Sequence, residues 1–127
     1  MNTAVVGLGS NINSHQNIKK ARALISKAHN IIAESKFVQT EPIGYKKQAD
    51  FTNGAFLILT TLNKEGFQSF LKKVEAKIGR KPTPNRFGPR VIDLDLLVWN
   101  NEVVGQDFYN RDFMQRAVLE LIPGLKF

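Results

Sequence analysis

The sequence contains no cysteine, no long hydrophobic run and no internal repeat. The lack of cysteine excludes disulfides and thiolate metal sites. No stretch approaches the roughly 20 apolar residues that a membrane-spanning helix needs, and residues 1–8 lack the charged and apolar regions of a signal peptide. We therefore expect one domain over residues 1–127, located in the cytoplasm, without a membrane partner.

Acidic side chains are also scarce. Eleven acidic residues stand against 18 lysines and arginines, which gives a formal net charge of +7. An anionic partner is expected: a nucleotide, a nucleic acid or an acidic surface. Residues 72–90 hold seven cations and one acid, Glu75. A solvated helix face explains the lysines of this stretch equally well, namely Lys72, Lys73 and Lys77.

Hydrophobic periodicity predicts four strands and three helices. The strands are expected at residues 2–8, 31–39, 51–62 and 91–99. The helices are expected from residue 13 or 14 to about 28, from 63 to 78, and from 111 to 121, with a turn at residues 100–101. The order β-α-β-β-α-β is that of the ferredoxin-like sandwich, an α+β fold with helices packed on one face of a mostly antiparallel sheet. This fold hosts many functions and does not decide the chemistry.

Two acidic residues interrupt the apolar strand predicted at 91–99. Residues two apart in a strand point the same way, so Asp93 and Asp95 leave one face together, and Leu97 and Trp99 are expected to continue that face. Adjacent anions in an apolar strand repel each other and lose hydration. Both effects cost free energy unless a nearby cation compensates the charge. Mg²⁺ is the natural candidate, and it usually brings substrate phosphates. Four cationic residues precede the strand in a loop that prolines make rigid, which favours phosphoryl chemistry. They are Arg80, Lys81, Arg86 and Arg90.

The order of motifs along the chain is characteristic of one family. The motifs lie at residues 7–11, 40–44, 48–53, 79–80, 86–97 and 111–114. Together they resemble the 6-hydroxymethyl-7,8-dihydropterin pyrophosphokinase family of folate biosynthesis. The central motif is the most specific, because Gly-Pro-Arg is followed by Asp-x-Asp at a fixed spacing. The resemblance covers about residues 1–104 and 107–125.

The resemblance implies an enzyme that transfers pyrophosphate from the co-substrate ATP to the hydroxymethyl group of a reduced pterin and releases AMP. It implies that Asp93 and Asp95 bind two Mg²⁺ ions, and that Arg80 and Arg90 are catalytic together with them. Its partners would be these two small molecules, without nucleic acid, and the chain would act as a monomer.

The resemblance also implies two sets of binding residues. The nucleotide would contact Glu75, Arg80, Arg86, Leu96 and Arg111. The pterin would contact Thr40, Pro42, Ile43, Gly44, Phe51, Asn53 and Phe113. Aromatic faces suit a flat heteroaromatic ring, and an asparagine amide can both donate to and accept from its edge. Simpler interpretations stay open: core packing for the two phenylalanines, solvent for Arg86, and pairing with Lys72 on an exposed helix for Glu75.

The chain departs from the family pattern after the aspartates. The family carries a histidine flanked by proline between this strand and the last arginine, whereas residues 96–110 contain neither histidine nor proline. About half a dozen to ten residues are missing from this interval. At ~3.3 Å per residue, they would form a strand and a turn. The chain is therefore expected to be a shortened member of the family. His15 and His29, interpreted as surface residues of the first helix, cannot substitute. In the arginine loop, Pro82 and Thr83 stand at positions that are often cationic, and Phe87 replaces a tryptophan.

These departures leave two alternative functions open. The first is a catalytically weakened family member that acts as a pterin-binding module. The second is a basic nucleic-acid-binding domain of ferredoxin-like fold, suggested by the net charge and nine phenylalanines. Such domains present aromatic residues on the sheet surface beside cations.

Overall fold

A six-stranded antiparallel sheet forms the centre of the fold across the residues that the structure describes. The computed structural model describes residues 1–44, 46–80 and 88–127. In chain order the elements are β1 (Asn2–Ser10), α1 (Ser14–Ala28), β2 (Asn30–Glu34), β3 (Val38–Thr40), β4 (Phe51–Thr60), α2 (Lys64–Ile78), β5 (Asp93–Trp99), β6 (Glu102–Val103), α3 (Asp107–Asn110) and α4 (Asp112–Leu121). The sheet order is β2-β4-β1-β5-β6, and β3 also pairs with β4. The α+β class and the predicted order of elements are confirmed.

The ends of the long helices follow from local signals in the sequence. Asn13, at φ 44°, precedes α1. Asn63 caps α2, because its Oδ1 accepts a hydrogen bond from the Gly66 N–H at 2.7 Å. Gly79, at φ 114°, ends α2 in the left-handed conformation that glycine adopts at least cost. Within the described part of the chain, no helix has the length and apolarity that crossing a membrane requires.

The sheet carries a hydrophobic core on each face. On one face α1 and α2 pack on Val6 and Leu8, and on the other face α4 packs on Val5. This alternation along β1 is the period of two that a strand buried on both sides must have. The helix predicted at 111–121 therefore does not share a face with the other two helices. It covers the opposite face, where it walls the cavity described below.

A β-bulge in β5 changes the face on which its last residue lies. The register between β1 and β5 shifts between Val5 and Val6, so that Leu97 is an extra residue in the ladder. Leu97 shares the α4 face with the aspartates, as predicted, but the prediction for Trp99 is wrong. The Trp99 ring lies on the other face, 5.9 Å from the ring of Phe67.

The single strand predicted at residues 31–39 is two strands, β2 and β3. Buried Ser35 breaks the strand without leaving polar groups unpaired. Its N–H donates to the Ala55 carbonyl at 2.9 Å, and its Oγ accepts from the Ala55 N–H at 2.8 Å. The chain then turns so that the Phe37 ring covers Gly54, where a Cβ would lie 2.5 Å from the ring.

After β6, the chain passes directly over β5, so that the two backbones are in contact. Asn100 and Asn101 form the predicted turn, with φ of 48° and 67°. After β6, the N–H groups of Val104 and Gly105 both donate to the Leu97 carbonyl, at 2.9 and 3.2 Å. A Cβ on Gly105 would lie 2.5 Å from the Leu96 carbonyl oxygen and 3.1 Å from the Leu97 Cα. Only glycine fits this crossing without displacing the backbone of β5.

We expect Gly105→Ala to destabilise the protein by about 1–3 kcal/mol, because backbone atoms cannot rotate away as a side chain can. Urea unfolding measures the change. Gly124→Ala is the matched control, since a Cβ there meets no atom within 4 Å, and its effect should stay within about 0.5 kcal/mol. Equal effects in the two variants would contradict the close contact.

Candidate active site

Two concave sites flank β5. The first, which we call the α4-side cavity, has a volume of about 130 Å³ and lies between the sheet, α4 and the loop after β3. Its lining includes most residues predicted for the pterin and for catalysis: Thr40, Ile43, Phe51, Asn53, Arg90, Asp93, Asp95 and Phe113. The tertiary structure thus brings together residues that come from three strands, two loops and the last helix.

The second site, the α2-side groove, is larger and more open, with a volume of about 700 Å³. It runs between α2, β5 and the segment that enters α3. Its lining is Glu65, Gln68, Ser69, Leu71, Lys72, Leu94, Asp95, Leu96, Leu97, Gly105, Gln106 and Asp107. Asp95 and Asp107 line both sites. A molecule in the groove and one in the cavity would therefore meet at these carboxylates.

Asp93 and Asp95 point to the same side of β5, as the sequence predicts. Their partners in β1 are Gly9 and Gly7, so no β1 side chain larger than hydrogen stands beside them. Burial raises the pKa of Asp95 to about 8, and the nearby charge of Asp93 adds to this effect, followed by Asp107 and Glu75. A pair of ionised carboxylates here needs a cation.

These two carboxylates suit a metal that brings further ligands with it. Among the described residues, no group of three or more His, Cys, Asp or Glu side chains could hold a metal alone. Mg²⁺ is often bound by one or two carboxylates and completes its octahedron with water and substrate phosphates. The donor set therefore fits Mg²⁺ delivered with a nucleotide and does not form a closed protein cage.

Arg80 connects the aspartates to α2. Its Nη1 donates to Asp93 Oδ1 and to Glu75 Oε2, each at 2.5 Å. Glu75 is 3 % exposed, and its Oε2 also accepts the Leu94 N–H at 2.8 Å. Glu75 thus satisfies a backbone group on the open edge of β5 and holds the arginine. The expectation that Glu75 is exposed is wrong, whereas its predicted contact with Lys72 exists: the Lys72 Nζ lies 3.6 Å from Glu75 Oε1, and the Lys72 side chain is 75 % exposed.

The predicted pterin residues fall into two groups. Asn53 is buried, and its Nδ2 donates to Thr40 Oγ1 at 2.6 Å, which fixes the amide at the cavity. Phe51 and Phe113 are half-buried on β4 and α4 and both line the cavity, so neither is a fully buried core residue. Pro42 and Gly44 belong to the same loop as Ile43 but lie outside the lining.

The predicted nucleotide residues are divided between the two sites. Leu96 lines the α2-side groove, whereas Arg111 lines the α4-side cavity. Arg90 lines the cavity, and its Nη1 donates to the carbonyls of Gly88 and Pro89, both at 3.2 Å. Arg86 lies outside the described residues, as do Lys81, Pro82, Thr83 and Phe87.

His29 was interpreted as a surface residue of the first helix, but it follows α1 and is partly buried. Its ring contacts the rings of Phe67 and Phe70 edge-on, with centroids 5.6 and 4.5 Å apart. It lies on the face of the sheet opposite the aspartates, and burial lowers its pKa. It therefore cannot replace the missing histidine.

Sequence reasoning missed several residues that line the two sites. On α2, Glu65, Gln68 and Lys72 are spaced at three and four residues and so share the face that carries Glu75. This polar stripe is a usable signal. For Lys72, the sequence supports a solvated helix face and a functional role equally well. Gln106 and Asp107 carry no comparable signal, because only the backbone crossing at Gly105 brings them beside β5.

The fold and the site together define a ferredoxin-like domain with a carboxylate pair between two ligand-sized concavities. Residues 5–123 match the family model of 7,8-dihydro-6-hydroxymethylpterin-pyrophosphokinase (HPPK). The chain belongs to this family.

Individual relatives agree with this assignment. The chain is 36% identical to 2-amino-4-hydroxy-6-hydroxymethyldihydropteridine pyrophosphokinase of Bacillus subtilis over 104 residues, 80% of this chain and 62% of the relative. It is 30% identical to the Haemophilus influenzae protein of the same name over 136 residues, 98% of this chain and 84% of the relative. The bifunctional protein FolKE of Lactococcus lactis is 31% identical, and the match covers 98% of this chain but 38% of that protein.

All three comparisons bear on length. The chain spans less than two thirds of the Bacillus and Lactococcus relatives. The Haemophilus alignment runs over 136 positions and this chain has 127 residues, so the alignment opens gaps within this chain. Such gaps agree with a shortened member of the family.

The raised pKa of Asp95 predicts a pH-dependent stability. The unfolded carboxyl titrates near 3.8 and the folded one near 8, so between these values the folded state binds more protons. Stability is therefore greatest at low pH within this window and falls as the pH rises to 8. From pH 5 to pH 8, without divalent ions, we expect the wild type to lose roughly 1–3 kcal/mol relative to Asp95→Asn.

Urea unfolding at the two pH values in the presence of EDTA measures this difference. Glu102→Gln, an exposed substitution in β6, is the control and should follow the wild type. A constant difference between wild type and Asp95→Asn over the whole range would contradict the raised pKa.

Glu75 contacts two cationic residues, Arg80 and Lys72. We expect these two contacts to contribute unequally to the stability of the protein. Glu75→Ala removes the partner of Arg80 and of the Leu94 N–H and should cost roughly 2–4 kcal/mol of unfolding free energy. Lys72→Ala removes only an exposed, longer contact and should change stability by less than about 0.5 kcal/mol. Thermal and urea unfolding of both variants test this. Similar losses in the two would restore the simple Glu75–Lys72 pair.

Proposed function

We propose that this protein transfers pyrophosphate from ATP to the hydroxymethyl group of 6-hydroxymethyl-7,8-dihydropterin and releases AMP, a step of folate biosynthesis. One observation carries the proposal beyond family membership. Asp95 lines both the α4-side cavity and the α2-side groove, and Asp93 stands beside it. Two substrates bound in these sites would meet at a pair of carboxylates suited to Mg²⁺.

In this proposal the pterin occupies the α4-side cavity. Phe51 and Phe113 contact the faces of the ring, while Asn53 contacts its polar edge. Thr40 fixes the Asn53 amide through a 2.6 Å hydrogen bond. Ile43 closes the cavity from the loop after β3, and Pro42 and Gly44 shape that loop. The hydroxymethyl group would then point toward the aspartates, which line the same cavity.

The nucleotide occupies the α2-side groove, with its base near Leu96 and its phosphates directed to Asp95. Asp93 and Asp95 are the residues that would hold the two Mg²⁺ ions, which when bound neutralise phosphate charge and favour in-line attack. Arg80 would donate to phosphate oxygens, as would Arg90 and Arg111 from the α4-side cavity where the two sites meet. The resemblance implies the same role for Arg86, which lies outside the described residues. Guanidinium groups suit this role because paired hydrogen bonds fix geometry as well as charge.

Arg80 is held beside the reaction centre by its two carboxylate partners. Its contact with Asp93 satisfies one oxygen of that carboxylate, while Glu75 keeps the guanidinium near the groove. When the nucleotide arrives, Arg80 exchanges the Asp93 contact for phosphate oxygens and retains Glu75. Glu75 therefore acts on the nucleotide through Arg80.

We expect Asp93→Ala and Asp95→Ala to lower kcat/KM by at least about 10³-fold, because each variant forfeits several kcal/mol of charge stabilisation. Asp112→Ala, an exposed aspartate in the first turn of α4, is the matched control and should retain activity. Chromatography or phosphorus NMR of a reaction with Mg²⁺, ATP and the pterin identifies the product. Formation of ADP, or full activity of either aspartate variant, would contradict the proposal.

One observation favours a second function, that of a pterin-binding module with little or no turnover. Gly105 crosses directly on the backbone of β5, and it lies in the interval of sequence where the resemblance leads one to expect a histidine-containing segment. The nucleotide groove is therefore formed by a shorter chain than usual. Pterin binding in calorimetry, combined with no AMP at saturating ATP, would select this function.

The described part of the fold does not favour the nucleic-acid alternative. That alternative requires aromatic residues on an open sheet face. In this fold α1 and α2 cover one face and α4 covers the other, and Phe56 is fully buried in the sheet.

A further inference from the structure

A third carboxylate, that of Asp107, stands where the two concave sites meet. Asp107 lines both the α4-side cavity and the α2-side groove, as Asp95 does. After burial and the charge of Asp93, the charge of Asp107 also contributes to the raised pKa of Asp95. The half-buried Asp107 is therefore close to the aspartate pair, although it comes from α3 and not from β5.

The residues on either side of Asp107 fix its position. The Gly105 N–H donates to the Leu97 carbonyl at 3.2 Å, and the Gly105 carbonyl accepts the Phe108 N–H at 3.2 Å. The Phe108 side chain is fully buried in the core on the α4 face of the sheet. A side chain between a backbone crossing and a buried anchor loses little further freedom when it contacts a substrate, which favours a role in catalysis.

The carboxylates that line the cavity differ in what engages them. Arg80 contacts Asp93, and Asp93 and Asp95 hold Mg²⁺ in the proposed function. Glu41 lines the cavity but not the groove. Among the described residues, no ion pair includes Asp107, and no three acidic side chains are placed to hold a metal together. Asp107 thus borders both sites without serving a cation of the described chain.

The chemistry of the two substrates indicates which group such a carboxylate takes. It repels phosphate oxygens, so it does not bind the triphosphate. A hydroxyl group can donate a hydrogen bond to it and can also give it a proton. In the proposed binding mode the ribose hydroxyls lie beyond the phosphates that meet Asp95. The hydroxymethyl group of the pterin, in contrast, points from the cavity toward the aspartates.

We propose that Asp107 is a further catalytic residue, the general base for the hydroxymethyl group. This inference rests on the proposed function. The hydroxyl proton passes to the Asp107 carboxylate while the hydroxyl oxygen forms a bond to the β-phosphorus of ATP. The bond from the β-phosphorus to the oxygen that bridges it to the α-phosphorus breaks, and its electron pair leaves with AMP. Asp107 then releases the proton to solvent through the open groove.

The main test uses Asp107→Asn, which keeps the size and a hydrogen-bond acceptor but removes the base. The single-turnover rate of AMP formation, measured by rapid quench, should fall at least ~10²-fold, the lower end for a general base. Single turnover separates the chemical step from product release. The Kd values of the pterin and of a non-hydrolysable ATP analogue with Mg²⁺ should change less than about threefold. Asp112→Asn, on the exposed first turn of α4, is the matched control and should react as the wild type does.

A second pair of variants covers the case that Asp107→Asn does not fold. Asp107→Glu keeps a carboxylate on a longer side chain, and Asp107→Gln has nearly the same size without a base. The single-turnover rate of Asp107→Glu should exceed that of Asp107→Gln at least ~10-fold, because only the first retains a proton acceptor. Equal rates in this pair would contradict the role of the charge.

A binding experiment separates this inference from the proposed function. It compares the Kd of 6-hydroxymethylpterin with that of 6-methylpterin, which lacks the hydroxyl group, without nucleotide. The wild type should favour the hydroxymethyl compound ~10-fold, since a hydrogen bond to a charged group contributes about that much. In Asp107→Ala the ratio should fall close to one, and in Asp112→Ala it should stay. Absence of AMP with the wild type refutes the proposed function, whereas an unchanged ratio in Asp107→Ala refutes the contact of Asp107 with the hydroxyl group.

Three kinetic outcomes would overturn the assignment of Asp107 as the base. One is a single-turnover rate of folded Asp107→Asn close to that of the wild type. Another is a rise in the Mg²⁺ concentration that gives half the maximal rate, which marks a metal ligand. The last is a loss of affinity for the ATP analogue alone, which marks a contact with the ribose.

Discussion

The structure depends on the placement of two like charges on one face of a strand that is buried among hydrophobic residues. Asp93 and Asp95 cannot both be ionised there without compensation, and burial raises the pKa of Asp95 to about 8. The surrounding residues accommodate this pair of carboxylates in several ways. Glycines face the carboxylates from β1, Arg80 contacts Asp93, and two concave sites meet at Asp95. Each feature leaves room for a cation or supplies one.

The same constraint explains how α2 is placed against β5. Glu75 lies in the last turn of α2 and reaches both Arg80 and the Leu94 N–H, so it fixes the helix against the open edge of β5. A buried carboxylate is costly unless several donors satisfy it, and here a guanidinium and a backbone amide do so. The groove between α2 and β5 is thus a consequence of the polar contacts that hold the aspartates. Packing of the apolar faces alone would not require it.

The course of the short segment after β6 has a clear structural basis. The chain crosses β5 at Gly105 with two hydrogen bonds to Leu97 and enters α3 at once, which brings Asp107 beside Asp95. The helix α4 then begins on the face opposite to α1 and α2. Arg111 and Phe113 reach the cavity because of this crossing. This short connection therefore contributes to the cavity wall and also to the lining of the groove.

Much of this protein was determined by its sequence. The period of two along the strands, the caps at Asn63 and Gly79, and the joint direction of Asp93 and Asp95 are local properties, and they predicted the elements, the fold class and the carboxylate pair. Only the tertiary structure decided the bulge that turns Trp99 away, the break at Ser35, the face taken by α4, and the burial of Glu75. These features depend on contacts between residues far apart in the chain, such as Glu75 with Leu94 or Asn11 with Gln48 and Arg90. A sequence pattern records which residues are apolar and how they are spaced, but a hydrogen bond across the fold exists only once the packed sheet has brought its partners together.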